Sequence, residues 1–410
     1  MSETEVTTAP HPLLLADGRP ADRAWSLDPA LKHLNHGSFG AVPLVAQERQ
    51  ELLRVEMERS PVVWFPALPQ RLAATRVELA DFLRVSADDL ALVPNASAGA
   101  SVVYAALTPR PGGEILVTDH GYGAVTMGAE RLARRCGGRV RTARVPLDAD
   151  EDRAYEAVAG ELSDATELVV VDQITSATAR RLPVERIGAE ARRRGIPVLV
   201  DGAHAPGLLA APLADATYDF WTGNLHKWGC APRGTAALVA RGPLRERLYP
   251  LIDSWAAADP FPDRFDQQGT VDATAYLAAP TSLAFVERTW GWPAARRYMD
   301  DLADYGAHVI GTALAEPTGA VDVGMPVPGM RLVRLPDGLA ADRVEADALR
   351  DRVALELGVE AAFTSFDGVG YLRLSAHVYN TAADYEYFAE ECVPVLNRWA
   401  RENTGKRSAR

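Results

Sequence analysis

Lysine is almost absent from this 410-residue chain. It occurs only at Lys32, Lys227 and Lys406, so the other 40 of the 43 basic residues are arginine. An arginine guanidinium keeps its proton up to about pH 12 and cannot act as an amine nucleophile, whereas lysine can. Any amine chemistry in the interior of the sequence therefore falls to Lys227. Cysteine is scarce too. Cys136, Cys230 and Cys392 are odd in number and far apart, which excludes a disulfide frame or a thiolate zinc site and fits a reducing compartment. No apolar run approaches the roughly 18 residues of a membrane span. There is no Lys/Arg block, and 55 acidic against 43 basic residues leave a net charge of −12, so no nucleic-acid surface is expected. The opening MSETEVTTAPHP lacks the basic start and apolar segment of a signal peptide, and a cytoplasmic location is expected. With 48% apolar and 24% charged residues the chain reads as globular, long enough for two or three domains of about 150 residues.

The pattern along the chain supports an α/β fold. Residues 1–45 read as an N-terminal arm. Residues 44–60 and 71–85 carry helical periodicity. Strand-like runs at 114–119, 139–146, 167–174, 196–203, 218–223 and 235–242 then alternate with helix-like runs at 124–138, 155–162 and 184–195. Such alternation predicts βαβ units and a mainly parallel sheet sandwiched by helices, here over residues 46–283. From 284 a smaller C-terminal α+β domain is expected to run to 410. It begins with one helical stretch over 284–314, and only the final GKRSAR reads as disordered.

In open α/β sheets ligands collect at the carboxyl ends of the strands, so the polar residues there are the informative ones. After IPVLV comes Asp201-Gly-Ala-His204, and after YDFWTG comes Asn224-Leu-His226-Lys227-Trp228. A carboxylate ending one strand and a lysine 26 residues later suit a pyridoxal 5'-phosphate (PLP) site. The lysine forms the Schiff base and the aspartate pairs with the protonated pyridine nitrogen, so that the ring serves as an electron sink. Spacing alone leaves open that Asp201 caps a helix and Lys227 lies on the surface. A dinucleotide site at Gly121-Tyr-Gly123-Ala-Val-Thr126 has Thr126 in place of its third glycine and lacks the acidic residue about 20 positions on. A metal site from Asp201, His204 and His226 lacks the tight ligand spacing that would specify one.

VDGAHAPG followed by TGNLHKWGCAPRGTA, with LNHGSFGAVP near the start and RLSAHVYNT near the end, resembles the class V aminotransferase superfamily of fold-type I PLP enzymes. The resemblance spans about 34–390 and is nearest to the isopenicillin N epimerase-like branch, which includes cysteine-sulfoxide and cysteine-conjugate lyases. It implies Lys227 as the Schiff-base lysine, Asp201 on the pyridine nitrogen, His204 beside the phenolic oxygen and His226 next to the phosphate. Asn95, Ala96 and Ser97 match the turn that offers amides and a hydroxyl to the phosphate at a helix start. Asn224 stands where desulfurases carry a phosphate-binding Ser. Tyr122 matches the residue stacked on the ring, with His120 the less favoured alternative. Ser176 matches an Asn near the phenolic oxygen, and Thr175 is its neighbouring candidate. Thr270, after Gly269, matches a loop by which a second subunit reaches the phosphate, implying a homodimer with a shared active site. Arg373 matches the substrate-carboxylate clamp, a task for its planar fork. Asn35, His36 and Ser38 fall on the substrate side.

The resemblance implies an enzyme that removes the α-proton of a small amino-acid substrate. Desulfurases of the superfamily carry a persulfide-forming cysteine on a loop well after the lysine, and here no cysteine lies between Cys230 and Cys392. A C–S β-lyase on an S-substituted cysteine is therefore the favoured expectation. Epimerisation with Tyr122 or His120 as second acid, transamination or a decarboxylating or oxidative deamination variant, and a non-enzymatic PLP-fold binding protein are the alternatives.

Overall fold

The computed structural model describes residues 8–314 and 320–408, and the chain divides into two compact units. The larger comprises Gly40–Ser176 and Arg181–Glu287. The other comprises Met1–Phe39, Ala177–Arg180 and Arg288–Arg410.

Seven strands organise the larger unit: β1 (Leu90–Val93), β2 (Glu114–Thr118), β3 (Arg139–Ala143), β4 (Thr166–Asp172), β5 (Val198–Asp201), β6 (Phe220–Asn224) and β7 (Ala236–Ala240). Their order across the sheet is β1-β7-β6-β5-β4-β2-β3. Pairs β2–β3, β2–β4, β4–β5 and β5–β6 are parallel, while β6–β7 and β1–β7 are antiparallel. The central strands are buried along their length, as apolar runs such as LVVV and VLV require when helices cover both faces. Gly123–Arg135 shows how they do so. It buries Val125, Ala129, Leu132 and Ala133 on one stripe and leaves its arginines outside. The helix Ala96–Ala106 comes still closer. Gly99 faces the Thr222 side chain of β6 so tightly that a Cβ would stand 2.3 Å from Oγ1.

The second unit carries an antiparallel sheet of β8 (Met330–Arg334), β9 (Ala362–Phe366) and β10 (Val369–Ser375), in the order β9-β10-β8. Its core joins Leu302 and Ile310 of the helix Trp292–Ala313 to Val333, Leu372, Tyr385, Phe388 and Leu396.

Several expectations need correction. The helical stretch over 284–314 is two helices, Thr274–Thr289 and Trp292–Ala313. Gly291 at φ 76 between them, and a proline in the first turn of the second, explain the break. The helix expected at 71–85 starts earlier and runs Pro61–Leu83, with Pro66 and Pro69 inside it. Trp64, Leu68, Leu72 and Leu79 anchor that longer helix by burial. The segment GKRSAR does not leave the fold at its start, because the helix Val393–Ser408 continues into it; residues 409–410 lie outside the described residues.

Candidate active site

Four strand ends bring the polar residues of the larger unit together. Strand order reverses between β2 and β4, the kind of switch point where open sheets form a crevice. Tyr122 follows β2 as the N-cap of Gly123–Arg135, and its backbone N–H donates to Asp172 Oδ1 at 3.3 Å. Asp172 ends β4 and lies beside Asp201, the last residue of β5, as its register partner. Asp201 Oδ1 accepts the Ala203 N–H at 2.9 Å, while its Oδ2 is buried without a hydrogen-bond partner. Burial raises both carboxyls above the ordinary aspartate range. Asp172 is raised the further, because the Asp201 charge beside it adds to its desolvation; a protonated Lys227 would pull both down. Of the two, Asp172 keeps its proton more readily.

Lys227 lies three residues beyond β6, in a turn whose floor is the buried Trp228. Its Nζ is 3.1 Å from His204 Nε2, and the Trp228 indole N–H donates to His204 Nδ1 at 3.2 Å. The same Nζ stands 5.9 Å from the centroid of the Tyr122 ring. Tyr122 is 44% exposed, whereas Lys227, His204 and Asp201 are buried. His120, the alternative to Tyr122, is buried with Nε2 at 2.8 Å from the Val145 carbonyl.

The helix Ala96–Ala106 starts nearby, and its first amides are settled one by one. Asn95 Oδ1 caps the Ala98 N–H at 2.9 Å, and Asn224 Oδ1 accepts the Ala96 N–H at 2.8 Å. The Gly99 N–H reaches the Asn95 carbonyl at 3.1 Å. Between them, the Ser97 N–H and hydroxyl have no hydrogen-bond partner among the described residues. A helix start with one uncommitted amide beside a hydroxyl is a small anion site. His226 has Nδ1 at 2.8 Å from the Thr235 carbonyl, and burial lowers its imidazole to about 4. It is a neutral ring whose Nδ1–H is the donor to that carbonyl, which leaves Nε2 as an acceptor. Thr175 and Ser176 follow β4, the first fully buried and the second half-buried.

Two further groups of expected residues remain. Thr270 lines a cleft with Phe65, Leu72, Trp255 and Tyr276, and no other expected site residue lines it. In the second unit, Arg373 on β10 donates from one guanidinium nitrogen to Asn35 Oδ1 and to Ser38 Oγ, each at 2.9 Å. Ser38 in turn donates to Asn35 Oδ1 at 2.7 Å. His36 stacks on His377 with ring centroids 3.7 Å apart, and its Nδ1 lies 3.0 Å from the Tyr379 hydroxyl.

Sequence reasoning missed Asp172 and Trp228. Asp172 ends the apolar run LVVV as Asp201 ends VLV, so the same rule would have found it. Nothing in the sequence distinguishes the indole N–H of Trp228 from a plain core aromatic.

The Aminotransferase class-V family model matches residues 67–388. The chain is 32% identical over 401 residues to the isopenicillin N epimerase of Streptomyces clavuligerus, covering 92% of this chain and 98% of that one. It is 30% identical over 394 residues to the putative L-cysteine desulfhydrase 1 of Oryza sativa subsp. japonica, covering 86% and 80%. Among solved structures, a lysine-to-alanine mutant of C-DES with glycine covalently linked to its PLP cofactor superposes with a TM-score of 0.78 at 20% identity, covering 93% and 99%. That likeness gives the fold: fold type I.

Proposed function

The chain belongs to the class-V aminotransferase family of PLP-dependent enzymes, in its isopenicillin N epimerase-like branch, and from that premise we propose that it is a C–S β-lyase acting on an S-substituted cysteine. The residues present fit the cofactor. A buried carboxylate oxygen without a partner, Asp201 Oδ2, is costly unless a cationic donor meets it, and a protonated ring nitrogen is such a donor. The Ser97 amide and hydroxyl suit a phosphate at a helix start, with the Asn224 amide group and Asn95 beside them. When bound, the cofactor supplies an electron sink for charge developing at the substrate Cα.

The remaining work belongs to the chain's own residues. Lys227 Nζ would hold the cofactor in the resting enzyme and, when free, would take the α-proton. Asp201, the less strongly raised of the two carboxyls, is assigned the ring nitrogen, whose positive charge would favour its anionic form. Tyr122 is assigned to the face of the bound ring, where it would shield that face from water. Thr175, Ser176 and His204 are assigned to the phenolic-oxygen side, and His226 to the phosphate side. Arg373, oriented by Asn35 and Ser38 with His36 alongside, is assigned the substrate carboxylate. The substrate's Cβ–S bond then breaks with its electron pair on sulfur, and after water enters the carbon remainder leaves as pyruvate and ammonia. Thr270 is assigned to the phosphate of a second copy, which makes the active enzyme a homodimer.

The observation that carries the lyase reading is that the amine of Lys227 faces an aromatic ring. Inversion at Cα needs an acid on the face opposite the base, and the Lys227 amine stands 5.9 Å from the centre of the Tyr122 ring, whose one acidic group is its hydroxyl. Elimination needs one base only. The epimerase reading has its own support in the 32% identity across 98% of the Streptomyces clavuligerus relative. The test is product analysis with S-substituted L-cysteines, including a sulfoxide. Equal amounts of pyruvate, ammonia and released sulfur product support the proposal, and inverted substrate without pyruvate refutes it.

A further inference from the structure

The hydrogen bonds around Lys227 determine more than its position. An indole N–H can only donate, so His204 Nδ1, 3.2 Å from Trp228 Nε1, must present a lone pair. An imidazole with a lone pair at Nδ1 carries its proton on Nε2, the atom 3.1 Å from Lys227 Nζ. That Nε2–H needs an acceptor, and a lysine nitrogen accepts only as a neutral amine. A protonated Lys227 would need a second lone pair on the same ring, which is an imidazolate. We propose that Trp228 is a positioning residue: its indole N–H locks His204 as the Nε2–H tautomer and thereby holds Lys227 unprotonated.

This inference rests on the cofactor reading above, because a neutral amine is what Schiff-base capture requires. It adds a reason for the tryptophan directly after the lysine. The lock is built to last: Trp228 is fully buried, and Gly207 at φ 91 packs against its carbonyl, where a Cβ would come within 2.6 Å. The other titratable groups facing Lys227 act in opposite senses. Asp201 and Asp172 attract a protonated amine, Asp172 less so when it carries its own proton, and His226 repels one when charged. His204 is set apart from them because the direction of its bond to Nζ is fixed from the far side of its ring.

Two spectra of the full-length chain, freed of cofactor, test the proposal. With histidine labelled in 15N, the eight rings give separate signals, and His204 is the one lost in His204→Gln. Near neutral pH it should show the Nε2–H pattern. An Nδ1–H pattern or an imidazolium overturns the proposal, and this readout needs no variant of Trp228. With lysine labelled at Cε, three signals appear, and Lys227 is identified by Lys32→Arg and Lys406→Arg. In Trp228→Phe the Lys227 midpoint should rise by at least about one pH unit, a tenfold loss of neutral amine below it, because His204 can then turn its lone pair to an ammonium. An unchanged midpoint in a folded Trp228→Phe chain also overturns it. Borohydride fixation of added PLP, mapped among the three lysines, keeps the two readings apart. A label elsewhere than Lys227 defeats the cofactor assignment, whereas a label on Lys227 with the wrong tautomer defeats this inference alone.

Discussion

Gly40 offers the sharpest mutational test of how Lys227 is held. It closes the LNHGSFG segment at φ 72, and a Cβ built on it would stand 2.1 Å from the His226 carbonyl oxygen and 2.8 Å from that of Lys227. Both obstacles are backbone atoms, so no side chain can swing aside. Restoring ordinary contact requires about 1 Å of movement in the segment that carries the lysine. Gly40→Ala therefore has two costs. The left-handed backbone costs about 1–2 kcal/mol for any L-residue. The displacement adds a loss of activity on the order of 100-fold, since misplacing a reacting group by about 1 Å has that scale of effect. Gly137→Ala separates them, because Gly137 has φ 64 and nothing within 4 Å of a built Cβ. Urea unfolding and steady-state turnover should show the backbone cost in both variants and the activity loss in Gly40→Ala alone. Equal turnover in the two would refute the argument that Gly40 sets the position of Lys227.

Three further outcomes are expected. Asn224→Ala leaves the buried Ala96 N–H without its acceptor, which should cost about 1–3 kcal/mol of stability and weaken PLP retention; unchanged values in both urea unfolding and PLP titration would contradict the anchoring role. His226 is held neutral at about 4, below the unfolded value of about 6.5, so its contribution is intact above pH 6.5 and is lost as pH falls toward 4, by about 3 kcal/mol in all. Removing the titration with His226→Gln should flatten that part of the acid limb in urea unfolding at stepped pH. Arg373→Lys loses a planar fork already oriented by Asn35 and Ser38, and kcat/KM should fall by about 2–5 kcal/mol equivalent; wild-type kinetics would mean that the carboxylate is held elsewhere.

Much of the candidate site was legible because its residues interrupt apolar runs. Asp201 after VLV and Lys227 after FWTGN stand out on those grounds, and the scarcity of lysine sharpens the second. The alternation of strand and helix was legible for the same reason. What escaped depends on partners distant in sequence. LALV at β1 is a short run whose strand character comes from antiparallel pairing with β7, nearly 150 residues later. Pro66 and Pro69 argue locally against a helix, and only the buried face of Pro61–Leu83 overrides them. The tautomer that Trp228 imposes on His204 is a matter of hydrogen-bond direction, which sequence spacing does not carry.

The central claim is that one base, Lys227, works at Cα opposite an aromatic face. Running the reaction in deuterated water with an S-substituted L-cysteine, and stopping it at partial conversion, tests that claim directly. The account predicts pyruvate accompanied by recovered substrate that is entirely of the L configuration, whether or not its α-position has exchanged. Recovered substrate of the D configuration carrying deuterium at Cα would show a second acid on the opposite face and contradict it.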